Sequence, residues 1–345
     1  MFKYKLIQNY LSIYRGINFN GMEAMELMIK KNTIQEETST QVQLSPSPCA
    51  LCGTYDNSKE IYPSNFDLDA FNPEVFSARR LPDRIHYRMV ECRKCKLLRS
   101  DPVADSDTLL QLYIKSKFSY GKQIDFLKTT YGRYLDLAKK ISPQAKSLLE
   151  IGCGSGFFLE EAIKHGIPNV WGVEPSTNAA SQAPQNLKGK IILDIMRPGL
   201  FPKDTTFDII CIFQVLDHMS DPVGTLKECQ KLLSPNGVIL ILNHDIDAWS
   251  AKLLGESSPI IDIEHTYLYS KKTLAKILDA ANLKPVEQGC AWNSYDISYL
   301  VKLFPFPKFL KSFILSALKF TLIGKLPLRV PLGNLYSLSI SKKGF

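Results

Sequence analysis

Glu150-Ile-Gly-Cys-Gly-Ser-Gly156 closes an apolar run that begins at Leu148 and opens onto the helix-forming stretch Phe157-Phe-Leu-Glu-Glu-Ala162. Gly152, Gly154 and Gly156 can take positive φ and let the backbone pass close to a ligand. A strand, a glycine turn and a helix start make a nucleotide-type pocket at the carboxyl end of a parallel sheet. A pyrophosphate site wants G-x-G-x-x-G, with the anion on the helix dipole. Here the third glycine comes one residue early, and Glu150 stands two residues before the first. A carboxylate there repels pyrophosphate and suits a cationic ligand with an amino group and hydroxyls. Glu174 ends the apolar run that starts at Asn169, twenty residues after Gly154. An acid in that place can accept hydrogen bonds from both hydroxyls of a ribose. Asp194 belongs to a third run, Ile191–Ile195, and Gln214-Val-Leu-Asp-His218 follows the buried run Phe207–Phe213.

A second set of chemical residues lies nearer the N-terminus. Cys49-Ala-Leu-Cys52 and Cys92-Arg-Lys-Cys95 are two C-x-x-C pairs with 39 residues between them. Each pair turns two thiolates onto one cation, and two pairs complete a closed tetrahedral zinc site. Such a site has no open position, so the zinc (Zn2+) it predicts is structural and organises a module too small to hold a core alone. A redox role fits less well, because neither pair opens a helix in a βαβ unit. Asp262-Ile-Glu-His265 is the third set, following the apolar run Val238–Leu242. A histidine is poised to accept a proton near neutral pH, and a neighbouring carboxylate can fix its tautomer.

The pattern E-x-G-x-G-x-G, with Glu174, Asp194 and the segment from Gln214 in that order, resembles the class I S-adenosylmethionine (SAM) methyltransferases over about residues 110 to 295. The resemblance implies an α/β fold with a doubly wound, mostly parallel seven-stranded sheet. It implies SAM held by Glu150, Gly152, Gly154, Gly156, Glu174, Asp194 and Gln214, with Glu174 on the ribose and Asp194 at the adenine amino group. The four cysteines and the Glu264-His265 pair together resemble the bacterial deoxysugar C-methyltransferases, which carry a four-cysteine zinc domain and a Tyr-x-Glu-His segment after strand five. A broader group of bacterial methyltransferases linked to surface polysaccharides shares the zinc-plus-SAM layout. By position Glu264 and His265 match the pair, while Asp262 occupies the tyrosine position. His265 is then the expected general base, oriented by Glu264, with His218 a further catalytic candidate and His244 structural. The expected acceptor is a small molecule, a sugar or an intermediate of a polysaccharide or lipid pathway, nucleotide-sugar or lipid-linked, methylated on oxygen or carbon. An RNA or protein methyltransferase with a zinc substrate grip, or a non-catalytic SAM-fold binding protein, is the alternative. Against nucleic-acid amine methylation, Phe213-Gln-Val-Leu-Asp217 stands where Asn/Asp-Pro-Pro-Tyr would be.

The 345 residues allow one large domain and a small module. Composition is that of a globular chain, 45% hydrophobic and 22% charged. The net charge of +8 favours anionic partners, with the basic residues scattered rather than in a nucleic-acid stripe. No run is long enough to cross a bilayer and no secretory signal is legible, so a cytoplasmic protein with reduced cysteines is expected. Residues 1–48 read as an N-terminal segment and polar linker, with Met22 an alternative start; residues 49–100 read as the zinc module and 101–345 as the methyltransferase domain. Helices between Asp107 and Lys140 should cover the sheet, with Tyr113 and Tyr120 at the mouth of the pocket. Asn334–Ser341 should pair antiparallel with Pro285–Trp292, making about 299–330 an insertion. In it Lys308, Lys311 and Lys319 face away from Phe309, Phe313 and Ile314. The apolar face is expected to pack on the domain or on a second subunit; a lid or a helix lying on an anionic membrane is the other outcome.

Overall fold

The structure, a computed structural model, describes residues 43–66, 84–115, 121 and 123–342. The lead-in through Val42, the alternative start at Met22 and the cavity role expected of Tyr120 lie outside these residues. The chain opens with three antiparallel strands, β1 (Ser58–Tyr62), β2 (Met89–Cys92) and β3 (Leu98–Ser100). Helices α1 (Ser106–Lys115) and α2 (Gln123–Ile141) lead into β4 (Ser147–Ile151), α3 (Phe157–Lys164), β5 (Asn169–Val173), α4 (Thr177–Ser181) and β6 (Ile191–Ile192). Then come β7 (Phe207–Phe213), α5 (Pro222–Lys231), β8 (Leu233–His244), α6 (Trp249–Leu254), β9 (Tyr267–Leu268), α7 (Lys271–Ala280) and β10 (Leu283–Cys290). The insertion consists of β11 (Asn293–Asp296), α8 (Ile297–Leu303), α9 (Lys308–Lys319) and β12 (Pro327–Val330), and β13 (Asn334–Ser341) ends the fold.

Among the described residues the main sheet has seven strands in the order β10-β13-β8-β7-β4-β5-β6. All its neighbours pair in parallel except β13, which runs antiparallel to both β8 and β10. Its central strands are unbroken apolar runs because both faces are covered. One face packs Leu149, Ile210, Ile239 and Ile241 with α5 and α7, and the other packs Leu148, Ile209 and Leu240 with α2 and α3. The expected α/β class, the mostly parallel seven-stranded sheet and the antiparallel last strand are all present.

Three expectations change. The third strand stops at Ile192, because Asp194 turns to accept from the Ile195 amide at 2.8 Å and from Arg197 at 2.7 Å. The linker does not run to Pro48, since Leu44–Ser45 pairs with Val103–Ala104 and the Pro48 carbonyl accepts from Tyr267 Oη at 2.9 Å. Nor does the cysteine module end at Ser100. Its sheet runs β9-β3-β2-β1, so its edge strand comes from the segment that follows β8 and α6. Cys49, Cys92 and Cys95 lie in the same buried cluster as the core strands.

Candidate active site

A cavity of about 580 Å³ opens at the carboxyl ends of β4, β5, β7 and β8. At one end it meets the glycine turn, where Gly152, Gly154 and Gly156 have φ of 73°, 55° and 75°. Gly152 and Gly154 line the cavity. Gly156 does not; it caps α3, and a Cβ there would meet Leu187 Cδ1 at 2.9 Å. Its glycine is needed for packing and for backbone conformation, which corrects its assignment as a ligand contact.

Glu150 and Glu174 are both buried against this end. Glu174 Oε2 accepts from the Gly154 amide at 2.9 Å and Oε1 from the Ser176 amide at 2.8 Å. Each carboxylate oxygen retains a second lone pair, so the two can still receive vicinal hydroxyls. Glu150 Oε2 has no hydrogen-bond partner among the described residues. Burial, and then the Glu174 charge, push its carboxyl well above the usual range. Burial likewise raises Glu174, against the pull of the two backbone amides. A buried carboxyl without a partner is costly, and a cation placed beside it would relieve that cost. Asp194 and Gln214 also line the cavity. Gln214 holds a left-handed φ of 56° at the end of β7 and donates through Nε2 to Asn334 Oδ1 at 3.2 Å, while its buried Oε1 has no partner among the described residues. Strain of this kind in a non-glycine residue concentrates at functional sites. These donors and acceptors fit SAM: the unpartnered Glu150 Oε2 and Gln214 Oε1 could receive a cationic, amino-bearing part, and Glu174 could receive ribose hydroxyls.

At the other end three imidazoles surround one fully buried carboxylate. His244 Nδ1, at the end of β8, donates to Asp217 Oδ2 at 2.5 Å. His265 Nε2 lies 3.8 Å from the same oxygen, and His218 Nε2 lies 3.6 Å from Oδ1. The rings of His218 and His265 meet edge to face at 5.0 Å, and those of His244 and His265 are 4.6 Å apart. Burial would raise the Asp217 carboxyl, but the imidazoles, His244 foremost, hold it below the usual carboxylate range. Burial pushes His218 down to about 3, against the pull of Asp217, and Tyr113 Oη sits 2.9 Å from its Nδ1. Burial, and next His244, lower His265.

His265 Nδ1 lies 2.8 Å from the Ile260 carbonyl. A carbonyl only accepts, so Nδ1 carries the proton and the lone pair is on Nε2. The Ile260 carbonyl thus fixes the tautomer, in place of the expected Glu264. Glu264 lines the cavity beside it, its amide bonded to Asp262 Oδ1 at 3.3 Å. The sequence singles out neither Asp217 nor a chemical role for His244. The adjacency of Asp217 to His218 behind a buried strand, and the place of His244 at the end of β8, were the available signals. Asp217, His244 and His265 also bring three ligand-type atoms within 4.8 Å of one another. Asp217 and His244 are joined by a direct hydrogen bond, the arrangement of a carboxylate that orients an imidazole.

The cysteine module reaches into this end. Ser100 Oγ donates to the His265 carbonyl at 2.8 Å, and the Ser100 amide donates to the Thr266 carbonyl at 2.9 Å. Buried Arg99 donates to the Ser47 and Tyr55 carbonyls at 2.8 and 2.9 Å, tying the Cys49 loop to β3. The four cysteine sulfurs lie within 4.8 Å of one another, with Cys52 and Cys92 3.7 Å apart. Thiolates about 2.3 Å from a tetrahedral zinc sit roughly 3.8 Å apart, so the spacing suits that ion.

Residues 125–288 match the family model of the methyltransferase domain. The chain is similar to the ubiquinone biosynthesis O-methyltransferase of Histophilus somni, 29% identical over 121 residues, covering 32% of this chain and 50% of the relative. It is also similar to that of Aliivibrio fischeri, 25% identical over 162 residues, covering 44% of this chain and 68% of the relative. The chain thus spans about half the length of the first of these relatives. Among solved structures it is similar to DesVI of Streptomyces venezuelae (TM-score 0.31, 23% identity, 35% of this chain and 51% of that one). It is similar as well to the plantazolicin methyltransferase BpumL with a substrate analogue and SAH (TM-score 0.44, 19% identity, 64% and 85%). Residues 125–288, with the mostly parallel seven-stranded sheet they help to form, are thus similar to a methyltransferase domain.

Proposed function

We propose that this protein transfers a methyl group from SAM to a hydroxyl or activated carbon of a small-molecule acceptor. The observation that carries the reading is a single cavity joining the Glu150–Glu174 end to the Asp217–His244–His265 cluster. SAM, when bound, supplies an electrophilic methyl group. Glu150, Gly152, Gly154, Glu174, Asp194 and Gln214 would hold it. At the other end His265 Nε2 accepts the acceptor's proton. Asp217, 3.8 Å away and held by His244, stabilises the imidazolium that results. Beyond that proton transfer, the protein's task is to position the two reactants and to exclude water.

The acceptor end is lined by Leu254, Ile260, Tyr295, Tyr299, Leu303 and Phe304. That lining favours an acceptor with an apolar part beside the reacting hydroxyl, as an intermediate of a lipid or polysaccharide pathway would have. The relatives named for ubiquinone biosynthesis point the same way. Cys49, Cys52, Cys92 and Cys95 would hold a structural zinc, which would fix β3 and through it the segment bearing His265. Mass spectrometry of purified protein incubated with SAM and a panel of nucleotide-sugars, polyprenyl and quinone-type phenols, and RNA tests the reading. A methyl-group mass increase on a small hydroxylated acceptor is expected; methylation confined to RNA or to protein would refute it.

A further inference from the structure

The insertion leaves a surface that nothing else in the domain uses. Helix α9 buries no residue. Leu310, Ile314 and Leu318 are half-covered, whereas Phe309, Phe313 and Phe320 are 76%, 72% and 91% exposed. Their spacing puts them on one side of the helix. Ile323, Leu326 and Leu328, in the turn and strand that follow, are exposed as well. Of the packing expected on the domain or on a second subunit, the domain thus supplies only part: the half of the face bearing the phenylalanines points outward. Isolated surface apolar residues are ordinary, but a contiguous patch of this kind marks an interaction site.

Charge identifies the partner. Residues 297–345 contain eight lysines and arginines and no aspartate or glutamate. The rest of the chain is balanced, so this stretch carries the entire net charge of +8. Lys308, Lys319, Lys325 and Arg329 are exposed around the aromatic patch. Three protruding phenylalanines flanked by cations match the boundary of an anionic bilayer, where rings enter the acyl region and lysines stay among the headgroups. A protein partner would need acidic residues set into an apolar groove of matching shape, and nothing in this helix selects one.

Placement ties the patch to the cavity. Tyr299, Leu303 and Phe304 line the cavity wall, and α9 begins four residues after Phe304. We propose that α9 and the turn after it dock on an anionic lipid surface, so that the cavity opens beside the bilayer and receives an acceptor that resides there. The docking itself does not depend on methyl transfer and is measured without turnover.

Co-sedimentation of the full chain with phosphatidylcholine vesicles, with and without phosphatidylglycerol, tests it. Binding to the anionic vesicles that weakens with salt is expected. Each basic side chain removed should weaken partitioning about fivefold. The quadruple change Lys308→Gln, Lys319→Gln, Lys325→Gln, Arg329→Gln should therefore weaken it by well over tenfold. Phe309→Ser with Phe313→Ser should also release the protein while leaving its thermal unfolding unchanged, because both rings are exposed. Absence of binding, or equal binding to neutral vesicles, overturns the proposal. So does a lipid-free dimer, seen by sedimentation velocity, that the phenylalanine changes dissociate.

Discussion

Replacing His265 with Asn removes the imidazole lone pair while keeping a side-chain amide that can still donate to the Ile260 carbonyl, 2.8 Å from Nδ1 in the wild type. The segment is also held by Ser100 at 2.8 Å and by β9, so the fold should tolerate the change. Loss of a general base costs about 10²–10⁴-fold in rate, or roughly 3–5 kcal/mol of transition-state stabilisation. SAM affinity should not move, because Glu150 and Glu174 lie at the other end of the cavity. The base acts when neutral, and burial places its pKa below the ordinary imidazole value. The rate of the wild type should therefore be level through neutrality and fall only on the acid side, as His265 gains a proton. In His265→Asn that acid limb should disappear together with the rate. The assay is single-turnover methyl transfer against pH, run alongside calorimetry of SAM binding. A loss below tenfold, an acid limb that survives in the variant, or a larger loss from His244→Asn would each refute the assignment.

Three other outcomes follow from the same geometry. Gly154→Val forces a β-branched residue into φ of 55° against the cavity and should abolish SAM binding by calorimetry, with unchanged affinity counting against the site. Glu150, its pKa raised by burial, takes up a proton that a cationic ligand would expel; SAM binding should release up to about one proton, and affinity should fall as pH drops, as buffer-dependent calorimetric enthalpies would reveal. Elemental analysis should find about one zinc per chain, and Cys92→Ser should lose it. Because β9 shares the cysteine module's sheet, that variant should also lose turnover before it loses SAM binding.

Much of this fold was legible because it is written in local patterns. The glycine turn after β4, the acid ending β5 and the apolar runs of β7 and β8 each announce an element within a few residues. The cysteine pairs announce themselves by spacing. What the sequence hid was long-range. Glu264 is adjacent to His265, yet the group that meets Nδ1 is the Ile260 carbonyl. Asp217 looked like part of a loop beside the cofactor, but its carboxylate is reached by imidazoles from three separate segments. Gly156 follows the same pattern as Gly152 and Gly154, and only packing against Leu187 separates its role from theirs. The two faces of α9 were readable from helical periodicity, but whether anything covers them depends on tertiary structure.

The four-stranded sheet that joins β9 to β3 bears on how the molecule is made. Ser100 and the carbonyl of His265 are 165 residues apart in the chain yet joined by a hydrogen bond. The cysteines leave the ribosome early, but their sheet lacks its edge until residues 267 and 268 have been synthesised. Strands β4 to β8 can assemble in the meantime, and with them the glycine turn. A nascent or truncated chain could thus acquire the cofactor end of its cavity while its acid–base cluster remains unformed. The N-terminal module and the catalytic segment complete one sheet together, so a cut between residues 100 and 101 would strip β9 of its partner strand and His265 of the Ser100 hydrogen bond.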